Sequence, residues 1–289
     1  MTDTTARRTV VSVAMSAALA CATACTGSGG SDDSGGTTGP SGPTGSTAPS
    51  ASAAPSSRPP ALTGASADAL RAVERATGRA GSARVESTTV MGRELSLEAV
   101  GALGWDDDGL TGTLTITYTG GTTAETMRRL GTTAMEARYL PDAYYARMGD
   151  EFAERVGGRH WIKYVYEDLE DLGGGAGAGF ADQMRNTTPN QAVKLLLSAG
   201  DVRRVGAETT RGRRTTHWSG TVGGATEQTV DIWVDDRNLL VKKVERGRTK
   251  TGELTQTAYY SDYGVPVSAA RPPAADTADF KELLASQGS

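Results

Sequence analysis

Alternating apolar and polar side chains mark the clearest strand in the sequence, Leu110–Tyr118. Large apolar side chains at positions 110, 114, 116 and 118 fall on one face together with Gly112, and four threonines fall on the other. This two-residue period predicts a β-strand with one buried face and one solvated face. The same alternation recurs between residues 230 and 234.

Further strand candidates follow one another at short intervals. They are residues 83–91, 95–104, 132–140, 143–149, 160–166, 202–210, 213–222, 239–247 and 253–261. Turn-forming residues occupy many of the connections, for example Gly120-Gly121 and Pro141-Asp142. Because each connection is short, the pattern predicts an antiparallel meander.

Two helices are predicted, one before the strands and one within a long interruption of the meander. The first spans about Ala67–Arg79, with Ser66 as its N-cap. The second follows Thr188, has Pro189 in its first turn and ends before Gly200. The middle of this second helix is apolar on more than one side, so we expect it to contact a second protein surface or a ligand in addition to the sheet.

The N-terminus has the parts of an export signal, residues 1–24. Arg7 and Arg8 supply positive charge, residues 10–20 an apolar middle, and residues 22–24 small side chains before Cys25. Cys25 resembles the modified cysteine of a bacterial lipoprotein, which carries a diacylglyceryl group on sulfur and becomes the first mature residue. Cys21 is a second candidate for modification, and an ordinary cleaved signal peptide is the other interpretation left open.

The segment after Cys25 is predicted to be a tether. Residues 26–61 contain only Gly, Ser, Thr, Pro, Ala, two Asp and one Arg, so they offer nothing from which a core could form. Residues 25–61 are therefore expected to link a lipid-modified cysteine to a folded domain over residues 62–275. Residues 276–289 are expected to form a C-terminal tail or a short helix.

Composition excludes several classes of function. Both cysteines lie in the first 25 residues, so the folded part has no disulfide and no thiolate site. A formal net charge of −4 argues against nucleic acid as a partner, because binding to phosphates requires a basic face. A dense run of arginines between residues 203 and 214, with further basic residues at 242–248, indicates either a surface for anionic headgroups or an exposed face balanced by nearby acids.

The sequence predicts no catalytic residue, no metal site and no cofactor. Its two histidines, His160 and His217, lie in separate strand candidates. Ser219 is also on a strand and not on the sharp turn that exposes a catalytic serine. We therefore expect that the protein is not an enzyme.

The C-terminal part resembles a known family. Three stretches carry the resemblance: residues 231–236 (DIWVDD), 239–244 (LLVKKV) and 260–267 (YSDYGVPV). Together with the export signal, the tether and the inserted helical segment, they are similar to the LprG/LppX lipoproteins of actinobacteria, which are related in fold to the LolA carriers and to RseB. The resemblance implies an α+β fold in which a strongly curved antiparallel sheet, a half-barrel, has helices packed on its concave face.

The family resemblance also implies an apolar cavity for acyl chains between the sheet and the helices. The residues expected to line it are Leu169, Leu172, Phe180, Met184, Val193, Leu195, Leu196 and Leu197. The predicted function is that of a membrane-anchored lipoprotein on the outer face of the cytoplasmic membrane, which binds or carries a lipid or a lipid-linked glycan. The alternative is an RseB-like sensing lipoprotein that binds an envelope protein and has no lipid cargo.

Overall fold

The computed structural model describes residues 64–171, 181, 184, 187–223, 227–249 and 251–286. The predicted export signal, Cys25 and the predicted tether lie outside the described residues. In the described part, twelve strands form a single sheet in the order β12-β6-β5-β4-β3-β2-β1-β11-β10-β9-β8-β7. Their bounds are β1 Ser82–Met91, β2 Leu95–Asp106, β3 Gly109–Gly120, β4 Ala134–Tyr139, β5 Ala143–Arg147, β6 Trp161–Val165, β7 Arg203–Thr210, β8 Arg213–Val222, β9 Gln228–Asp235, β10 Leu240–Thr249, β11 Gly252–Ser261 and β12 Thr277–Asp279.

Most neighbouring strands are antiparallel and are joined directly along the chain. The strands β1 and β11, which are far apart along the chain, pair with each other in the middle of the sheet, again antiparallel. The strand β12 is different, because it pairs in parallel with β6 through Thr277↔Trp161, Ala278↔Ile162 and Asp279↔Lys163. The sheet is open, with β12 at one edge and β7 at the other.

One face of the sheet carries most of its buried apolar side chains, and we call it the inner face. A row in register runs from Tyr260 through Val85, Gly101 and Leu114 to Ala137, crossing β11, β1, β2, β3 and β4. The alternate residues point to the outer face, which in β3 carries the threonines that the sequence pattern predicted to be solvated. The alternation in residues 110–118 therefore predicts correctly which face of β3 is buried.

Two glycines allow the sheet to bend. A Cβ atom on Gly101 would lie 2.1 Å from the carbonyl oxygen of Thr113, and one on Gly112 would lie 2.3 Å from the carbonyl oxygen of Ala102. No other residue type fits such a close approach of two backbones, and glycines of this kind introduce curvature into a sheet. Curvature toward the inner face is therefore encoded in β2 and β3.

The described helices are α1 Gly64–Arg79, α2 Gly121–Arg129, α3 Asp150–Arg155, α4 Tyr166–Glu170, α5 Pro189–Leu197 and α6 Phe280–Ala285. The helices α1 and α5 pack against each other, and α5 covers the inner face over β8, β9 and β10. None of the described helices is both long enough and apolar enough to cross a membrane. The α+β prediction, a curved antiparallel sheet with helices on its concave face, is confirmed.

The first helix is fixed to the sheet at its C-terminal end. The indole Nε1 of Trp105 donates a hydrogen bond to the carbonyl oxygen of Gly78 (3.0 Å), and the backbone N–H of Leu240 donates to Thr77 Oγ1 (3.3 Å). The helix begins at Gly64, so the predicted N-cap Ser66 lies within its first turn and that prediction is wrong. Thr188 does precede α5 in an extended conformation, but its side chain makes no capping hydrogen bond.

The C-terminal segment returns to the sheet and joins it. Arg271 forms two hydrogen bonds with the carboxylate of Asp142 (2.9 and 3.0 Å), and Asp276 accepts a hydrogen bond from the backbone N–H of His160 (2.8 Å). The strand β12 then pairs with β6, and Phe280 of α6 packs on Tyr164 with ring centroids 4.7 Å apart. The part of the chain after residue 275 is thus continuous with the sheet domain, because its short strand and helix extend the same core.

Candidate ligand-binding site

The residues predicted to line a cavity lie in two places. Leu169 belongs to α4, whereas Val193, Leu195, Leu196 and Leu197 belong to α5. Met184 and the neighbouring Ala181 are buried and belong to the same apolar core as the sheet. Leu172 and Phe180 lie outside the described residues.

The residues of α5 are packed against protein. Val193 and Leu196 are fully buried, and a Cβ on Gly220 would approach Leu196 Cδ1 to 2.8 Å, so the helix sits directly on β8. Leu195 and Leu197 are partly buried against the same core. The second apolar side of α5 thus meets α1, which was one of the two possibilities that the sequence left open.

Leu169 contributes to a small cleft between α4 and α6. The cleft is lined by Val165, Asp168, Leu169, Asp279, Phe280 and Lys281 and has a volume of about 10 Å³. A single water molecule needs a space of about that size. This cleft is therefore too small for an acyl chain.

The middle of the inner face has a floor of small side chains. Ser87 in β1 pairs with Ala99 in β2 on one side and with Ala258 in β11 on the other. Ser87 is only half-buried, although it lies on the inner face of a central strand of the sheet. Small side chains at three adjacent positions leave a shallow hollow above the sheet, and Ser87 keeps part of its surface exposed there.

Larger apolar side chains surround this hollow. They retain between 3% and 8% of their surface exposed, whereas Leu103, Ile232 and Leu240 elsewhere on the sheet are completely buried. These positions share the inner face of β1, β2, β3, β4 and β11. The lining residues are Val85, Leu97, Leu114, Ile116, Tyr118, Met135 and Tyr260.

Polar side chains lie beside this floor, and we call them the inner polar cluster: Thr89, Lys243, Glu245 and Gln256. Lys243 Nζ lies 2.9 Å from Glu245 Oε1 and donates a hydrogen bond to Gln256 Oε1 (3.1 Å). Gln256 Nε2 in turn donates to Thr89 Oγ1 (3.4 Å). Because Lys243 is in register with Ala258, the cluster adjoins the small-residue floor directly.

The outer face carries a different constellation, in which aromatic and cationic side chains alternate. His217 stacks on Trp233 with ring centroids 4.2 Å apart, Lys242 Nζ lies 4.1 Å from the Trp233 ring centre, and Arg211 lies 3.7 Å above the ring of Tyr259. The basic residues singled out in the sequence are therefore partly engaged with rings. Acids balance others, as Arg246 pairs with Asp231 (2.7 Å).

Both ring nitrogens of His217 face carboxylates. Nε2 lies 2.9 Å from Asp231 Oδ1 and Nδ1 lies 3.1 Å from Glu208 Oε1. Burial alone would raise the pKa of Asp231, but hydrogen bonds from His217, Ser219 and Arg246 outweigh it and hold that pKa below its usual range. Ser219 thus donates to a carboxylate, and neither it nor His217 is arranged as a nucleophile with a general base.

His160 is held in a similar way, between Asp276 (Nδ1 to Oδ1, 2.8 Å) and Asp150 (Nε2 to Oδ1, 3.3 Å). The hydrogen bonds from the backbone and the ring of His160 lower the pKa of Asp276. This contact fastens the C-terminal segment to the start of β6. The contacts of His160 therefore have a structural role.

Sequence reasoning missed the residues that form the hollow. The sequence did contain a signal for the hollow, because its strands depart there from the alternating pattern. A serine, two alanines, a lysine and a glutamine stand at inner-face positions where large apolar residues are expected. In β1 and β11 these small or polar residues weakened the alternation, so that the two strands were predicted without an orientation. Only the register of β1 with β2 and β11 brings the small side chains together.

Among solved structures, the chain is similar to LprF from Mycobacterium bovis, with 15% identity, a TM-score of 0.46 and coverage of 73% of this chain and 99% of that one. It is also similar to the Mycobacterium tuberculosis lipoprotein LppX, with 15% identity, a TM-score of 0.45 and coverage of 70% and 99%. No family model matches the chain.

Sequence relatives are much closer. A 31.2 kDa protein of Streptomyces griseus, encoded between rplA and rplJ, is 48% identical over 247 residues, which cover 76% of this chain and 81% of the relative. A Streptomyces coelicolor protein designated lipoprotein SCO4650 is 90% identical over all 289 residues of both chains. The chain therefore belongs to the same lipoprotein family as SCO4650.

Proposed function

We propose that this protein is a membrane-anchored, extracytoplasmic lipoprotein that binds the acyl chains of a lipid, or of a lipid-linked glycan, in the hollow of the inner face. The observation that carries the proposal is the half-buried Ser87 on the inner face of a central strand. In a filled core this position would be closed. Here its neighbours Ala99 and Ala258 leave room for a chain to lie on the sheet.

The energetics favour an apolar guest. Removing a methylene group from water contributes about 0.8 kcal/mol, so a chain that places eight methylenes in the hollow would gain about 6 kcal/mol before the costs of association. The surrounding leucine, isoleucine, valine and methionine side chains supply the matching surface. Tyr118 and Tyr260 add aromatic surface.

Anchoring fits the same proposal. A diacylglyceryl group on Cys25 would hold the domain at the membrane surface, since two acyl chains bind a bilayer stably where one does so only reversibly. Residues 26–61, treated as a flexible coil, would give a root-mean-square reach of about 30–36 Å. That reach lets the hollow approach the lipid surface from which it would take its cargo.

Binding would occur without chemical change of the cargo. Both histidines are engaged by pairs of carboxylates, His217 on the outer face and His160 at the edge formed by β6 and the C-terminal segment. Neither lies on the floor of the hollow. The hollow is instead lined by apolar groups and the inner polar cluster.

Mass spectrometry of the purified protein tests the proposal. The full-length protein is expressed in a Streptomyces host, purified in mild detergent and extracted with organic solvent, and we expect a lipid to be recovered in a fixed ratio to protein. Repeated recovery of lipid-free protein would contradict the proposal. If chemical crosslinking of the same preparation then captured one envelope protein reproducibly, the RseB-like alternative would replace it.

A further inference from the structure

The solvent side of α1 carries a row of arginines, which we call the α1 arginine stripe: Arg71, Arg75 and Arg79. They follow one another at four-residue intervals, so they lie along one side of the helix, and all three are exposed. Leu70 and Val73 form the buried side of the same helix and belong to the core. The arrangement places three guanidinium groups in solvent along about two turns of α1.

The protein neutralises little of the charge in this stripe. Arg71 lies 3.0 Å from Asp68, but both side chains are more than half exposed, and such a pair is weak. Arg75 and Arg79 form no ion pair with any residue in the part of the chain that the structure describes. Two full positive charges are therefore available to a partner outside the domain.

Several arginines of the sheet differ in this respect, because acids face them. Arg84 lies 3.1 Å from Asp262, and Arg246 lies 2.7 Å from Asp231. The helices α1 and α5, in contrast, together carry three arginines and one lysine against two acidic residues. This local excess of positive charge stands out on a chain whose formal net charge is −4.

We propose that the α1 arginine stripe binds the anionic phospholipid surface of the membrane to which the protein is anchored. The inference rests on the anchoring in the proposed function and goes beyond it, because it specifies which side of the domain faces the bilayer. Residues 26–63 join Cys25 to Gly64, the first residue of α1, so the anchored segment enters the domain about two turns before the stripe. Anionic headgroups attract basic residues near a membrane, and a guanidinium group can donate two parallel hydrogen bonds to a phosphate.

Binding through the stripe would orient the whole domain. The helix α1 packs on α5, which covers the inner face over β8, β9 and β10. Its C-terminal end is attached to the sheet by the hydrogen bond from Trp105 Nε1 to the carbonyl oxygen of Gly78 (3.0 Å). The helix-covered side of the sheet would then face the bilayer, and the outer face would point away from it.

The first test measures this orientation with the full-length protein anchored in vesicles. Both native cysteines lie in the first 25 residues, so Ala69→Cys on exposed α1 or Thr88→Cys on the outer face of β1 can carry a donor fluorophore in the folded domain. The vesicles contain phosphatidylcholine alone or with about 30% phosphatidylglycerol, and a small fraction of headgroups carries the acceptor. We expect phosphatidylglycerol to increase energy transfer from position 69 and not from position 88, and about 0.5 M salt to abolish the increase.

The outcomes of this test separate the inference from the proposed function. Energy transfer that is the same in the two kinds of vesicle would overturn the inference and leave the anchoring standing. A larger increase from position 88 would place the outer face against the bilayer and would also overturn it. If the protein did not stay with phosphatidylcholine vesicles at all, the proposed anchoring would fail and the inference would fail with it.

The second test removes the charge of the stripe and reads the energy transfer from position 69. The stripe variant combines Arg71→Gln, Arg75→Gln and Arg79→Gln. A control with the same change in net charge combines Arg84→Gln, Arg237→Gln and Arg248→Gln, at exposed arginines of the sheet and its turns. Glutamine forms helices about as well as arginine, so α1 should persist in the stripe variant.

We expect the stripe variant to lose the orientation and the control to keep it. Each basic residue near an anionic surface changes the binding equilibrium about fivefold, so the ratio of docked to undocked domains should fall about a hundredfold in the stripe variant. Lysine at the same three positions keeps the charge and should restore most of the docking. Equal energy transfer in the stripe variant and the control would mean that the arginines of α1 have no special part in it, and would overturn the inference.

Discussion

His217 lies flat against Trp233 on the outer face of the sheet, with the two ring planes inclined by 12° and their centres 4.2 Å apart. The stack joins β8 to β9 at directly paired positions. It also covers the carboxylate of Asp231, to which the imidazole is hydrogen-bonded. The outer face is thus stabilised by a partly buried charge network. The stability of the fold therefore depends on pH in the acidic range.

The acid dependence follows from the lowered pKa of Asp231. The side chain titrates at a lower pH when folded than when unfolded, where the usual pKa is about 3.9. Its contribution to stability is therefore complete above about pH 4 and is lost as the pH falls through the folded-state pKa. We expect the free energy of unfolding, measured by urea titration between pH 7 and pH 2.5, to fall below about pH 4.

Asp231→Asn should lower the free energy of unfolding at pH 7 and reduce its further fall at acidic pH. The matched control is Asp236→Asn, at an exposed position in the turn after β9, which should leave the profile as in the wild type. An Asp231→Asn profile parallel to the wild type would show that the hydrogen bonds from His217 and Arg246 do not set the acid response.

Curvature of the sheet gives a second prediction. Gly101→Ala would place a Cβ 2.1 Å from the carbonyl oxygen of Thr113, so the two strands must separate. Overpacking of this kind costs about 1–3 kcal/mol, and we expect a loss of stability at the upper end of that range in thermal unfolding. Gly206→Ala, where a Cβ meets nothing within 4 Å, is the control. Similar melting temperatures for the two variants would refute the role of Gly101 in bending the sheet.

The C-terminal helix gives a third prediction. Phe280 is buried against Tyr164, and its truncation in Phe280→Ala should cost about 3–5 kcal/mol. The neighbouring Lys281→Ala removes only an exposed ion pair with Asp168 and should change stability far less. Denaturant unfolding of both variants measures the difference. If Phe280→Ala were neutral, α6 would not belong to the core.

Membrane attachment gives a fourth prediction. Cys25→Ser removes the proposed site of acylation, so the protein should move from the membrane fraction to the culture medium. Cys21→Ser should stay in the membrane fraction. Fractionation followed by immunoblotting measures where each variant is located. Release of Cys21→Ser with retention of Cys25→Ser would make Cys21 the modified residue.

The sequence predicted the architecture better than the site. Alternation in β3 and β9 and short turns between strands determine a meander, and these are local properties of the chain. The parallel pairing of β12 with β6 was not predictable, because three residues carry it and their partner lies more than 100 positions away. The helices α2 and α3 were missed for a similar reason, since each is short and depends on its contacts with strand ends.

The hollow escaped sequence analysis for a physical reason. A site lined by large side chains can be sought as an apolar run, as was done for α5, but a space is created by small side chains that are unremarkable one at a time. Ser87, Ala99 and Ala258 become a floor only through the pairing of β1 with two strands that are distant in sequence. That the residues chosen from the helical segment line a cavity stays a prediction.

Occupancy of the hollow by lipid is measured most directly with a pair of adjacent substitutions in β1. Ser87→Phe fills the hollow from its floor, whereas Thr88→Phe places the same side chain on the exposed outer face. After identical mild purification, quantitative lipid mass spectrometry should find bound lipid in the wild type and in Thr88→Phe and little or none in folded Ser87→Phe. Equal lipid content in the two variants would mean that the inner face of the sheet is not where this protein holds its cargo.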